Sequence, residues 1–158
     1  MSKKLRLLLL LAALSCASRA EAQAPPATPA SPPLPYGAPI GLDDAKKAVA
    51  AAVEEVKKIG APPNAIAIVD HGGFLIYFER MDNTQLGSVE VAIDKARSAA
   101  LFRRPSKAFE DALGGGGAGM RVLAVHGAMP VEGGLPLTAG GKIVGAIGAS
   151  GGTAQQDG

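Results

Sequence analysis

The stretch "IAIVDHGGFLIYFERMD", residues 66–82, constrains the fold more than any other part of the chain. Two runs rich in β-branched and aromatic residues flank "DHGG", the pattern of a β-hairpin. Gly72 and Gly73 are positioned to supply the positive φ angles of the turn. Both runs are apolar at almost every position, which predicts a sheet covered on both faces. His71 and His126 are the only histidines, and His71 stands at this turn.

The elements around the hairpin follow from periodicity. Leu42, Ala45, Val49, Ala52, Val53, Val56 and Ile59 recur at helical spacing. Asp43 and Asp44 suit the first turn, Lys57 and Lys58 the last, and Gly60 with Pro62–Pro63 ends the helix. A second helix is predicted over residues 88–101, with Val89, Ile93, Ala96 and Ala100 on one stripe and Asp94 and Arg97 as a surface pair. A short third helix from Ser106 to Leu113 would be capped by Ser106. "GGGGAG" at 114–119 is expected to be a flexible loop. "RVLAV", "GLPLT" and "KIVGAIGA" read as three strands, the last two joined at "AGG". The predicted order is α-β-β-α-α-β-β-β, an α/β (α+β) chain with one antiparallel sheet and helices packed on it.

What precedes these elements reads as a leader and a spacer. Lys3, Lys4 and Arg6, the run "LLLLLAAL" and "AEA" at 20–22 form a secretory signal, residues 1–22, cleaved after Ala22. Cys16 lies within it, so the mature chain has no thiol for a disulfide or a thiolate metal site. Residues 23–39 hold seven of the twelve prolines and read as an extended linker, with one domain over 40–158. Removing the leader takes 16 basic and 14 acidic residues to 12 and 13, a net of −1. No electrostatic case for a nucleic-acid or anionic-membrane partner remains. The predicted location is periplasmic or secreted.

Chemistry-bearing patterns are sparse. "GGGGAGM" lacks the Gly-Lys-Ser/Thr of a phosphate loop and the strand–helix context of a dinucleotide fingerprint. Nucleophilic catalysis has no further support in the sequence, and two histidines do not make a three-histidine zinc site. Haem asks for an axial His, Met or Tyr, an apolar wall and cations for its propionates. The chain offers His71, His126, Met81, Met120, Met129 and Tyr77, with Arg80, Lys95, Arg97 and Arg121 as cations. The absence of "CxxCH" excludes covalent c-type attachment. The small residues of "GAIGASGG" admit either a close helix or a flat ligand.

Three motifs, "VD.GG.L..FERMD", "A..KA..A..F.RP" and "EGGLPL…G.IVGAIG.SG", together resemble the GlcG/HbpS-like haem-binding family over roughly residues 41–157. The resemblance implies a profilin-like fold with a five-stranded antiparallel sheet, homo-oligomers, and haem binding with redox sensing in exported members. A related domain is fused to PduO-type corrinoid proteins. Arg80, Asp82, Lys95, Gly133 and Gly134 fall within the motifs and become candidate ligand-binding residues, with Arg80 and Lys95 set to meet carboxylates. His71 and His126 stand where the family has other residues, and are candidate axial haem ligands of this chain alone. The family continues past "QD" with a C-terminal helix, so apolar sheet surface is expected to be exposed here. The leading expectation is an exported haem or tetrapyrrole carrier, scavenger or sensor. The alternatives are an enzyme or accessory protein of small-carboxylate metabolism, and a structural or signalling oligomer with a membrane sensor partner.

Overall fold

The computed structural model describes residues 32–158. The leader, Cys16 and the first part of the proline-rich stretch lie outside the described residues. The elements are α1 (Leu42–Lys58), β1 (Ala65–Asp70), β2 (Leu75–Arg80), α2 (Ser88–Phe102), α3 (Lys107–Gly114), a 3-10 helix (Gly117–Ala124), β3 (Gly134–Ala139), β4 (Lys142–Ser150) and α4 (Ala154–Asp157). The four strands form one antiparallel sheet in the order β2-β1-β4-β3.

The fold is therefore mixed α+β, but with four strands rather than the expected five. "RVLAV" runs through the 3-10 helix instead. A four-residue apolar run has too little length to separate strand from helix by pattern. Gly116 and Gly117 take positive φ there, and Gly119 lies so close to Ala112 of α3 that a side chain would not fit. "GGGGAG" accordingly links the end of α3 to the 3-10 helix, with Gly119 against Ala112, where a flexible loop was expected. β3 forms the sheet edge and carries Pro136, which has no N–H for a further strand.

Each helix finds its place by the size of its residues. α1 lays Ala45, Val49 and Val53 over Ile66 and Ile68 on one face of the sheet. α2 presses Ala92, Ala96, Ala99 and Ala100 onto Ala65, Ala67, Val69 and Ala146 on the other. The buried stripe of α2 is thus its small-residue side, whereas Val89 and Ile93 of the expected stripe are only partly covered. Covered faces hold for β1, whose Ala65 to Val69 are fully buried. They do not hold for β2, which is an edge strand with exposed ends.

At the hairpin turn Gly73 alone adopts positive φ, +84°. The carboxylate of Asp70 accepts the N–H groups of Gly72 and Phe74 at 2.8 and 2.9 Å, and supplies the turn geometry assigned to a second glycine. Residues 35–37 are also part of the fold. Ile143 donates to Pro35 O and Gly37 donates to Ile143 O, both at 2.8 Å. Tyr36 thereby occupies the space beside β4 beyond the end of β1, so the ordered domain begins before Ile40.

Candidate functional site

The candidate residues fall at two ends of the sheet. At one end, where β1 starts and β4 finishes, Lys95 projects from the sheet-facing side of α2 and is 1 % exposed. Its Nζ donates to Ala149 O and to Asp157 Oδ2, both at 2.9 Å. The other oxygen of Asp157 accepts Gly152 N at 2.9 Å and Asn64 Nδ2 at 3.3 Å. Gly133 and Gly134 are needed beside this lysine. A Cβ on Gly133, at φ +120°, would stand 2.8 Å from Lys95 Nζ, and one on Gly134 would overlap the Lys95 carbonyl. Lys95, Gly133 and Gly134 are therefore brought together, but around a carboxylate of the chain itself.

Arg80 and Asp82 are exposed at the same end. Arg80 pairs across the ladder with Ala65, one residue from Asn64. Among the described residues neither side chain makes a hydrogen bond or ion pair, and the cation joined to a carboxylate here is Lys95 alone. Sequence reasoning did not find Asn64 or Asp157. The signal for a buried lysine was present: Lys95 lies three residues from Ala92 and four from Ala99, within the stripe that faces the sheet.

At the other end, α2 finishes between the hairpin turn and the segment 125–129. Arg97 Nε donates to Gly73 O at 3.3 Å, and Gly73 lies against Leu101. On the far side Met129 N donates to the fully buried Ser98 Oγ at 3.0 Å. Asp94, Arg97, Leu101, Gly127, Ala128 and Met129 line a cleft of about 340 Å³. His126 is exposed and lines an adjoining recess with Leu123 and Val125. His71 sits at the turn, its ring 5.6 Å from that of Tyr36, with Nδ1 buried and unpartnered. From Ile66, opposite Ala149, to His71 is five strand residues, roughly 16 Å. Lys95 and His71 thus belong to separate places.

This geometry removes the flat slot expected over the last strand. β4 is an interior strand, and the face of Gly148 is filled by the α2 backbone at Ala92 and Ala96. Gly145 is closed off by Val69 and Ile40 in the same way. The glycines of "GAIGASGG" serve close contacts within the protein, Gly148 with α2, Gly145 with Val69 and Ile40, and Gly151 with Pro63 and Asn64. A larger groove of about 460 Å³ lies between α1 and β3, walled by Ile40, Ala48, Leu137 and Val144, but no His, Met, Lys or Arg lines it. The cleft at the end of α2 answers the requirements of haem better. Met129 and the nearby His126 are axial donor types, Arg97 is the cation, and Leu101 is the apolar wall.

A family model described as "Haem degrading protein HbpS-like" matches residues 40–158, and the chain belongs to this HbpS-like family. Among its relatives is the protein GlcG of Escherichia coli K12, 36 % identical over 104 residues that cover 65 % of this chain and 74 % of GlcG. A double mutant of Streptomyces reticuli HbpS superposes with a TM-score of 0.68 at 28 % identity, covering 84 % of this chain and 91 % of that one. The crystal structure of a PduOC:heme complex superposes with a TM-score of 0.66 at 27 % identity, over 75 % and 87 % of the two chains.

Proposed function

We propose that this protein binds haem in the cleft between the end of α2 and the 127–129 segment. The observation that carries the reading is family membership over 40–158 joined to a structural relative whose crystals hold haem. The donor set of the cleft supports it. Arg97, fixed by Gly73 O, would receive a propionate; Leu101 would face the ring; Met129 or His126 would supply the axial atom. Bound haem would bring a redox-active iron, and the protein residues would hold and orient it. His71, beyond Leu101 and already packed on Tyr36, would shape the margin of the site.

The leader motif supports export, with the mature chain starting at Gln23 and acting as a carrier, scavenger or sensor outside the cytoplasm. Exposed Phe74, Leu86 and Leu123 support self-association into a homo-oligomer. Haemin added to the mature protein at micromolar concentration is expected to give a sharpened and shifted Soret band. A spectrum equal to the sum of protein and free haemin would refute haem binding.

A further inference from the structure

The Lys95 end of the sheet has the chemistry of a binding site in its own right. One carboxylate, that of Asp157, is received there by three donors from three places in the chain: the Lys95 ammonium, the Gly152 N–H and the Asn64 amide. Asn64 is fully buried, yet its Oδ1 has no partner. An orphaned buried acceptor is costly and asks for an explanation. The ion pair itself is nearly inaccessible, with side chains 1 % and 3 % exposed. Buried pairs of this kind repay their desolvation poorly, and apolar residues of the same volume hold a fold as well. Stability alone therefore does not account for a lysine on the small-residue face of α2.

The segment that supplies Asp157 is held by polar contacts. Apart from the Asp157 side chain, α4 buries nothing, and a Thr153–Gln156 capping box ties its start. Beside it lies a hollow of about 170 Å³ bordered by Asn64, Gly133, Ala149 and Asp157. At about 30 Å³ per water molecule, that is room for an anion of five or six heavy atoms.

We propose that Lys95, Asn64 and Gly152 form a receptor for a small carboxylate, and that Asp157 is its tethered internal occupant. A free acid of two to three carbons takes the place of the Asp157 carboxylate, and a hydroxyl on its second carbon donates to Asn64 Oδ1. Gly133 keeps the space that the ammonium requires. The receptor is at the opposite end of the sheet from the haem cleft, so it stands independently of haem binding.

Asp157→Ala empties the receptor and allows a test by chemical rescue. Acetate is expected to raise the melting temperature of this variant saturably, by about 5 °C. Sodium chloride at equal ionic strength is expected to leave it unchanged. Lys95→Met in the same background is expected to abolish the response. Lactate is expected to act at a concentration at least threefold lower than propionate, which matches it in size but lacks the hydroxyl. If Asp157→Ala does not fold in buffer, recovery of folded protein in acetate but not in chloride is the same readout. No difference between acetate and chloride, or an equal response with Lys95→Met, would overturn the receptor. Equal potency of lactate and propionate would overturn the role of Asn64 Oδ1.

Discussion

Gly148→Ala separates helix contact from ligand slot on the last strand. A Cβ at this position would lie 2.6 Å from Ala96 N and closer still to Ala92 O, where ordinary contact begins at 3.4 Å. Both obstacles are backbone atoms in the middle of α2, so no side-chain rotation relieves them. Clearing Ala96 N alone takes about 0.8 Å and clearing Ala92 O takes more, and a gap of 0.5–1 Å already forfeits roughly a quarter to a half of the dispersion energy between facing atoms. The layer affected is the one where Ala92, Ala96 and Ala99 meet Ala65, Ala67 and Ala146. Overpacking of this kind costs about 2–3 kcal/mol, which corresponds to a fall of roughly 8–12 °C in melting temperature for a domain of this size. Gly87→Ala is the control, because Gly87 has an α-region φ of −61° and nothing within 4 Å of its Cβ position. It is expected to be neutral or to stabilise by less than about 1 kcal/mol. Thermal unfolding followed by circular dichroism measures both. A Gly148→Ala protein that melts within about 3 °C of wild type would show that the space is open, and would restore the slot.

Two further perturbations test the packing and the edge strand. Ser106 Oγ donates to Val131 O at 2.7 Å and accepts Gly134 N at 2.9 Å, so Ser106→Ala removes the partner of one buried and one half-buried backbone group. A loss of about 1–3 kcal/mol in urea unfolding is expected; a loss typical of an ordinary surface substitution, under about 0.5 kcal/mol, would contradict this role. Burial raises the Tyr77 phenol above its ordinary value, with the Glu79 carboxylate adding to the shift. A raised folded-state value gives stability that is complete below about pH 10 and is lost as pH rises through the folded value. Absorbance titration is expected to show Tyr77 ionising at higher pH than in a Glu79→Gln variant, and coincident curves would contradict the attribution to Glu79.

The parts of the fold that sequence disclosed are those with strong local signals. The α1 stripe, the two glycine hairpins and the position of α2 each rest on periodicity or turn chemistry acting within a few residues. The errors arose where tertiary packing decided the outcome. Ser106 looked like a helix cap because serine prefers that position, yet its hydroxyl joins two backbone groups 25 and 28 residues away. "RVLAV" carried a strand's composition but became helical against α3. The pairing of Lys95 with Asp157 spans 62 residues, and no spacing rule announces it. The cleft was legible only as an inventory, since Arg97 and Met129 come together through Ser98 and Gly73 rather than through a motif.

The central claim is that haem binds at the end of α2 and not over the last strand or at Lys95. Haemin titration of wild type beside the triple variant Arg97→Ala, His126→Ala, Met129→Leu tests it most directly, with Arg80→Ala as the control. Wild type and Arg80→Ala are expected to give the same shifted Soret band, and the triple variant to lose at least tenfold in affinity while keeping its melting temperature within a few degrees. Unchanged affinity in the triple variant, or a loss confined to Arg80→Ala, would contradict the account.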